Sequence, residues 1–471
     1  MHALLHDTRR VLATGSRNPR MATVTGRLLG IAFLVCFGTG LYSHFLQDPL
    51  PWMVFPTRPF WIYQLSQGIH ITTGIACIPL ILAKLYIVFP GLFQSPPVRS
   101  VGHFLERASI ALFVAASLVE ITIGLLNTFQ FYSLFPFSFR QTHYALSFVI
   151  VGSLAIHIAV KLDIISKFWR KKNSYDEAGN LRLHTEADDT VPTDAVPADA
   201  VPGDPLPHDT VPADTVPADP VYASAEADAP VPAGSIPAGI SESQITSGST
   251  GIKTGGVTGR LFAWIDEAPK AAPRASRRGF IATVGIAVGA LVALTAGQSF
   301  RVLDSTNLFA PRKMDIGPNA VPVNRTARAA KVLESAVDPA WVLTVTSGGT
   351  TREFSYAQLR ALPQHEVDLP IACVEGWSQM ATWRGPRLHE LLGTVGSAAD
   401  VSIRATSLEE DSIYAVMDMG PEFVRDDLTL VALDLNGTPL DIDHGYPARM
   451  IAPARPGVLQ TKWLSRIEVL A

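Results

Sequence analysis

The chain has 471 residues, a formal net charge of −4, 48% hydrophobic and 17% charged residues, and three cysteines. Its length gives room for about three domains at roughly 150 residues each, and the negative balance argues against a nucleic-acid binder, which needs a basic surface. Cys36, Cys77 and Cys373 form no disulfide framework, since the first two lie in long apolar runs.

Residues 25–44, 66–89, 107–128 and 142–162 are four apolar segments, each long enough to cross a bilayer, which takes roughly 20 residues. Arg9, Arg10, Arg17, Arg20 and Arg27 precede or open the first, and Lys161, Lys167, Arg170, Lys171 and Lys172 close or follow the fourth. The positive-inside rule then puts both ends of residues 1–172 in the cytoplasm. The loops 45–65 and 129–141, with Trp52, Trp61, Tyr63 and Tyr132, fall outside.

Histidines punctuate these spans. On this topology His44, His70 and His143 sit near the outer surface, and His157 follows His143 on the same helix face. Two histidines facing each other across helices at one depth are what a b-type haem requires, and His70 with His143 is the pair that fits. The plain alternative is polar side chains reaching the membrane surface. His157 addresses a second depth, with His103 as a candidate partner. Glu120, midway along the third span, is a costly acid open to three readings: proton transfer, a quinone contact or an interhelical hydrogen bond.

Residues 173–275 repeat a V-P-x-D unit in an acidic background with few large apolar side chains, which predicts a disordered, extended cytoplasmic linker. Residues 276–300 form a fifth apolar segment opening on Ser276-Arg277-Arg278-Gly279-Phe280. That opening resembles a twin-arginine export signal placed inside the chain, and a topology anchor is the other reading. Both put residues 301–471 outside the cytoplasm. In that last stretch the runs WVLTVTS, DVSIRAT, LTLVALDL, ARMIAPA and SRIEVLA predict strands, and AQLRAL and RLHELLGTV predict short helices, so mixed α+β is expected.

Cys373 stands in IACVEGWS, with three jobs open to it: an inert buried thiol, a nucleophile needing a histidine, or a thiolate ligand to a soft metal. The pieces PVNRTA (322–327), DPAWVLTV (338–345), IACVEGWS (371–378), WRGPRLHELL (383–392), DHGYPARMIAP (443–453) and GVLQTKWLSRIEV (457–469) occur in one order. Together they resemble the molybdopterin-binding domain of the sulfite oxidase family, in particular its short bacterial members similar to the periplasmic methionine-sulfoxide reductase catalytic subunit. Residues 1–172 are similar to four-helix cytochrome b membrane anchors. The implied fold is an all-α transmembrane helical bundle plus a mixed α+β exported domain of sulfite oxidase molybdopterin-binding type.

The resemblance implies that Cys373 binds molybdenum, that Asn324, Arg325 and Thr406 meet the pterin, and that His444, Arg449, Gln460, Thr461 and Lys462 hold the pterin and its phosphate. The physics agrees, because a pterin phosphate needs Arg or Lys; an ion pair of His444 and Arg449 with Asp441 or Asp443 is the plain alternative. Val374-Glu375-Gly376-Trp377-Ser378 replaces the arginine cluster of sulfite oxidases proper, so sulfite is not the favoured substrate. Tyr414 matches an active-site tyrosine by approximate position only. The expected function is oxygen-atom transfer in a bacterial cell membrane. It would reduce a sulfoxide-like small molecule, with molybdenum-molybdopterin and b-type haem as cofactors and the quinone pool or a redox carrier as electron partner. Alternatives are substrate oxidation with electrons passed to quinone, and a non-catalytic pterin-binding sensor.

Overall fold

The computed structural model describes residue 17 and residues 19–89, 98, 100–134, 137–170 and 277–470. The linker expected over 173–275 and the first residue of the export-like opening, Ser276, lie outside the described residues.

Five described helices are long and apolar enough to cross a membrane, by length and composition: α1 (Pro19–Gln47), α2 (Ile62–Val88), α3 (Val101–Thr128), α4 (Phe139–Val160) and α5 (Arg277–Thr295). Each of the first four begins before the apolar segment read from the sequence, because polar and aromatic residues already continue the helix there. Ser100 stops α3 from fraying: its Oγ accepts from His103 N at 3.2 Å, a side-chain N-cap. Leu29 and Phe33 of α1, Cys77, Leu80 and Ile81 of α2, Ala116 of α3 and Ile150 of α4 share one core. Helix α5 lies antiparallel to α2. Phe280 near its start stacks on Tyr86 near the end of α2 at 5.7 Å, and Phe300, just past its end, abuts Gly68 near the start of α2.

The C-terminal region is mixed α+β. A five-stranded sheet has the order β2 (Thr350–Ser355), β1 (Val342–Ser347), β11 (Leu464–Leu470), β5 (Ser402–Ser407), β6 (Val416–Met419). Its β1–β11 pair is parallel and the others antiparallel. A four-stranded sheet runs β3 (His365–Ala372), β4 (Ser378–Gly385), β8 (Asp434–Leu435), β9 (Thr438–Pro439), and β10 (Arg449–Ile451) pairs with β7 (Leu430–Ala432). Short helices Tyr356–Ala361 and Leu388–Gly393 stand where the apolar spacing predicts them. Leu343, Val345, Leu359, Leu388, Leu391, Ile403, Met450 and Ile467 form the main core. A second core gathers Leu369, Ile371, Cys373, Trp377, Trp383 and Ile451 around the β3–β4 hairpin.

Candidate active site

The site is built outward from the β3–β4 hairpin. Ala372 pairs with Ser378, so residues 373–377 are its end loop. Cys373 N donates to Trp377 O at 2.9 Å and Gly376 N to Cys373 O at 3.0 Å. Gly376 sits at φ 98°, a conformation that favours glycine. Cys373 is 1% exposed. Burial, with Glu375 beside it, pushes the thiol well above its usual range, so a thiolate here needs a strong local cation such as a metal. Among the described residues, His365 pairs with Glu390 at 2.9 Å, His389 with Asp427 at 3.0 Å, and His444 Nε2 donates to Pro318 O and Val321 O at 2.9 and 3.1 Å, so none of these bonds goes to Cys373.

Around this loop the candidate cofactor residues converge on one buried cluster. Lys462 Nζ donates to Asn324 Oδ1 (3.2 Å), Arg325 O (2.5 Å) and Asp443 O (2.9 Å), tying the segment 322–327 to the turn at 441–445. Burial, then Arg449, lowers Lys462 to about 7. Arg449, 1% exposed, donates to His444 O at 3.0 Å and Gln460 O at 3.4 Å while its guanidinium lies over Trp383. The plain ion-pair alternative is not what forms. His444 and Arg449 are buried, and the carboxylates of Asp441 and Asp443 accept from the backbone N–H groups of Asp443 and Ala327 instead.

Two candidates stand apart from this cluster. The Arg325 guanidinium is engaged by Glu409; what Arg325 gives the cluster is its carbonyl. Thr406 lies on β5 opposite Arg466 and Val416, and the next residue, Ser407, is the one whose Oγ donates to Lys462 O at 2.8 Å.

Among the described residues, Arg449 Nε, Gln460 Oε1 and Thr461 Oγ1 are buried polar atoms without a partner. Each costs about 1–3 kcal/mol if left so. Such a group of unmet donors and acceptors, beside buried Arg449 and half-buried Lys462, suits an anionic ligand rich in hydrogen-bonding groups. A molybdopterin fits that description, and the Cys373 sulfur is a donor of the soft kind its metal takes.

Several contributors to the site come from the helical part and carry no local sequence signal. Gln67 of α2 and Asn127 of α3 both donate to Val374 O at 3.2 Å. Gln130, just past α3, donates to Glu375 Oε1 (2.6 Å) and Asn324 O (2.5 Å) and accepts from Arg312 Nη2 (2.7 Å). Ser299 Oγ donates to Gly376 O, and Ser299 O accepts from Ser378 Oγ at 3.1 Å. Tyr414 OH donates to Gln47 Oε1 at 3.3 Å. The hydroxyls of Tyr63 and Tyr132 are engaged with Ser43 Oγ at 3.1 Å and Asn127 Oδ1 at 3.2 Å.

The candidate haem histidines are also brought together. The rings of His70 and His143 lie 6.0 Å apart, centre to centre. A metal shared by two imidazoles at bond lengths of about 2 Å holds the ring centres roughly 6 Å apart. Gly40 of α1 leaves room for the pair, since a Cβ there would stand 3.0 Å from His70 Cε1.

Residues 330–471 match the family described as oxidoreductase molybdopterin binding domain. This stretch of the chain is an oxidoreductase domain. Among curated proteins the chain is 28% identical over 152 residues to mitochondrial sulfite oxidase of Mus musculus, which covers 26% of this chain and 27% of that protein. It is 30% identical over 123 residues to the oxidoreductase YuiH of Bacillus subtilis, covering 24% and 57% respectively. It is 28% identical over 112 residues to a putative protein-methionine-sulfoxide reductase subunit, YedZ1, of Azospira oryzae, covering 24% and 42%. The chain thus spans about a quarter of the sulfite oxidase it matches.

Proposed function

We propose that the chain is a membrane-anchored, molybdenum-dependent oxidoreductase of oxygen-atom transfer that reduces a sulfoxide-like small molecule with electrons arriving through its helical part. When bound, a molybdenum–pterin group supplies two-electron oxygen-atom transfer, so that a sulfoxide takes up two electrons and two protons and leaves as sulfide and water. Cys373 is the residue to hold the metal. Lys462, Arg449, His444, Gln460, Thr461 and Asn324 are those to hold the pterin and its phosphate, with Arg325 and Thr406 at the edge.

The observation that carries the electron route is the seat of the Cys373 loop. Gly376 rests on Ile71, and Ile71 adjoins His70, one of the two histidines suited to a haem. A direct path inside one chain explains why an apolar helical part accompanies this domain, and the quinone pool is the donor such a part would meet. We read residues 1–172 as a four-span cytochrome b-like bundle and 173–275 as a linker. Residues 276–300 are then a fifth span with an export-type start, delivering 301–471 to the extracytoplasmic side of a bacterial membrane. The antiparallel course of α5 along α2 supports that placement, since it brings the oxidoreductase domain to the same helix ends as the loops 45–65 and 129–141.

The test is elemental analysis with a reduced-minus-oxidised optical spectrum on the detergent-purified chain. Molybdenum near one per chain with a b-type α-band is the expected result, and Cys373→Ala should remove molybdenum-dependent activity while the chain still folds. A Cys373→Ala chain with full activity overturns the metal assignment. Molybdenum without haem leaves an anchored enzyme fed from outside and overturns the route.

A further inference from the structure

The chain leaves α5 and turns straight back on it. Leu308 N and Phe309 N both donate to Leu294 O, at 3.0 and 2.9 Å, and Thr306 Oγ1 donates to Ala293 O at 2.6 Å. The return passes over Gly297, where a Cβ would stand 2.5 Å from Asn307 Cβ and would overlap Leu303 O, so only glycine admits it. Asn307 is 3% exposed and satisfied within the turn: its Nδ2 donates to Arg312 O at 2.9 Å and its Oδ1 accepts from Ala310 N at 3.3 Å. Residues 299–312 are thus a hook folded on the end of α5. Two large apolar residues on its returning limb, Leu308 and Phe309, are 65% and 55% exposed.

The last four carbonyls of a helix have no partner within it, and in hydrocarbon no water replaces one. From Arg278 to Leu294 the helix rises about 24 Å, against a hydrocarbon core of about 30 Å. With Arg278 at the inner edge, the carbonyls of Ala293 and Leu294 fall about 6 Å short of the outer edge. Segments lying in a membrane interface bury their apolar side chains by about 5–10 Å. The hook therefore brings its own donors to a depth where water is scarce, and Leu308 and Phe309, exposed at that level, have lipid beside them. Arg301 and Asp315, paired at 2.8 Å and exposed, are the charges left for the headgroup side.

We infer that the hook is a membrane-seated element whose Leu308 and Phe309 enter the acyl boundary of the outer leaflet. The inference rests on the reading of α5 as a span. Seated there, the hook moors the candidate site from both of its ends. At its start Ser299 O accepts from Ser378 Oγ at 3.1 Å; at its end Arg312 Nη2 donates to Gln130 Oε1 at 2.7 Å, and a little beyond, Asp315 N donates to Gln379 Oε1 at 2.9 Å. Ser378 and Gln379 open β4, directly after the Cys373 loop.

The experiment is nitroxide labelling of the full chain reconstituted in phosphatidylcholine vesicles, with one introduced cysteine at a time: Leu308→Cys, Phe309→Cys, Ile286→Cys on the exposed side of α5, and Thr350→Cys in the exposed β1–β2 turn. The native thiols are buried or half-buried, and the parent chain labelled in parallel gives their background. Collisions with oxygen, which dissolves in lipid, are compared with collisions with a water-soluble nickel chelate. The ratio at Leu308 and Phe309 should exceed that at Thr350 severalfold and lie below that at Ile286, which is deeper. Ratios at 308 and 309 equal to that at 350, with 286 still high, overturn the hook's seat and put it in water. A low ratio at 286 overturns the span itself, a failure seen at a position outside the hook.

Discussion

Ile71 packs so closely on Gly376 that no side chain fits on the glycine: a Cβ built there would stand 2.8 Å from Ile71 Cγ1. Gly376 is also held at φ 98°. Space and backbone thus require glycine at the point where the Cys373 loop meets α2, and the contact works as a gauge of how firmly the two parts are joined. Gly376→Ala should cost about 1–3 kcal/mol. The check is a lower unfolding midpoint together with faster amide exchange at Val374, Glu375 and Trp377. A change confined to the midpoint would mean that the joint survives and only the loop is strained.

Lys462 spends all three of its N–H donors on the oxygens of Asn324, Arg325 and Asp443. Lys462→Met removes a charge from the cluster proposed to hold the pterin phosphate and leaves those oxygens unpaired, a loss of about 1.5–3 kcal/mol for charged hydrogen bonds. Molybdenum content after purification should fall by roughly tenfold or more, and Lys462→Arg should recover part of it. Full content in the Met variant would assign Lys462 to fold stability alone.

Some of this was legible in the sequence and some was not, for identifiable reasons. The five apolar helices follow from length and hydropathy. Strands β1, β5 and β11 follow from β-branched runs, and the cluster of Cys373, His444, Arg449 and Lys462 from motifs in a fixed order. The β3–β4 hairpin was hidden: β3 carries Pro370 and two acids, Glu366 and Asp368, and its inner half is buried on both faces, so no alternation marks it. Gln67, Asn127, Gln130 and Arg312 were hidden for another reason. Their contacts with the site span separations such as 307 and 245 residues, and a single polar residue at a helix end has no pattern to betray it. Thr406 is expected at the site from the resemblance, and its neighbour Ser407 on the opposite face of β5 is the residue that reaches Lys462 O.

Gln130 bridges three groups at once, with Arg312 on its carbonyl and Glu375 and Asn324 on its amide. Gln130→Leu should leave most of the molybdenum content in place, because it removes only a bond to the Asn324 carbonyl and touches neither Lys462, Arg449 nor His444. It should lower kcat/KM by about ten- to a hundredfold, the equivalent of one or two charge-assisted hydrogen bonds. Steady-state kinetics on a small dialkyl sulfoxide, paired with metal analysis, checks both halves. Equal losses of metal and rate would instead make Gln130 part of the cofactor's seat.

His444 gives the fold an acid limit. Burial, with Arg449 and Lys462 nearby, lowers it to about 4 from an ordinary value near 6.5, and its Nε2–H is donated to Pro318 O and Val321 O. Between those two values the unfolded chain binds a proton at this histidine that the folded chain refuses. Stability therefore falls as the pH drops through the window, by roughly 3 kcal/mol in all, and the loss is complete near pH 4. His444→Gln keeps a donor for the carbonyls but cannot titrate. Unfolding midpoints of the parent chain should decline from pH 7 to pH 4 more steeply than those of His444→Gln. Parallel profiles would mean that the folded chain accepts the proton at His444, and that its Nε2–H bonds survive a charged ring.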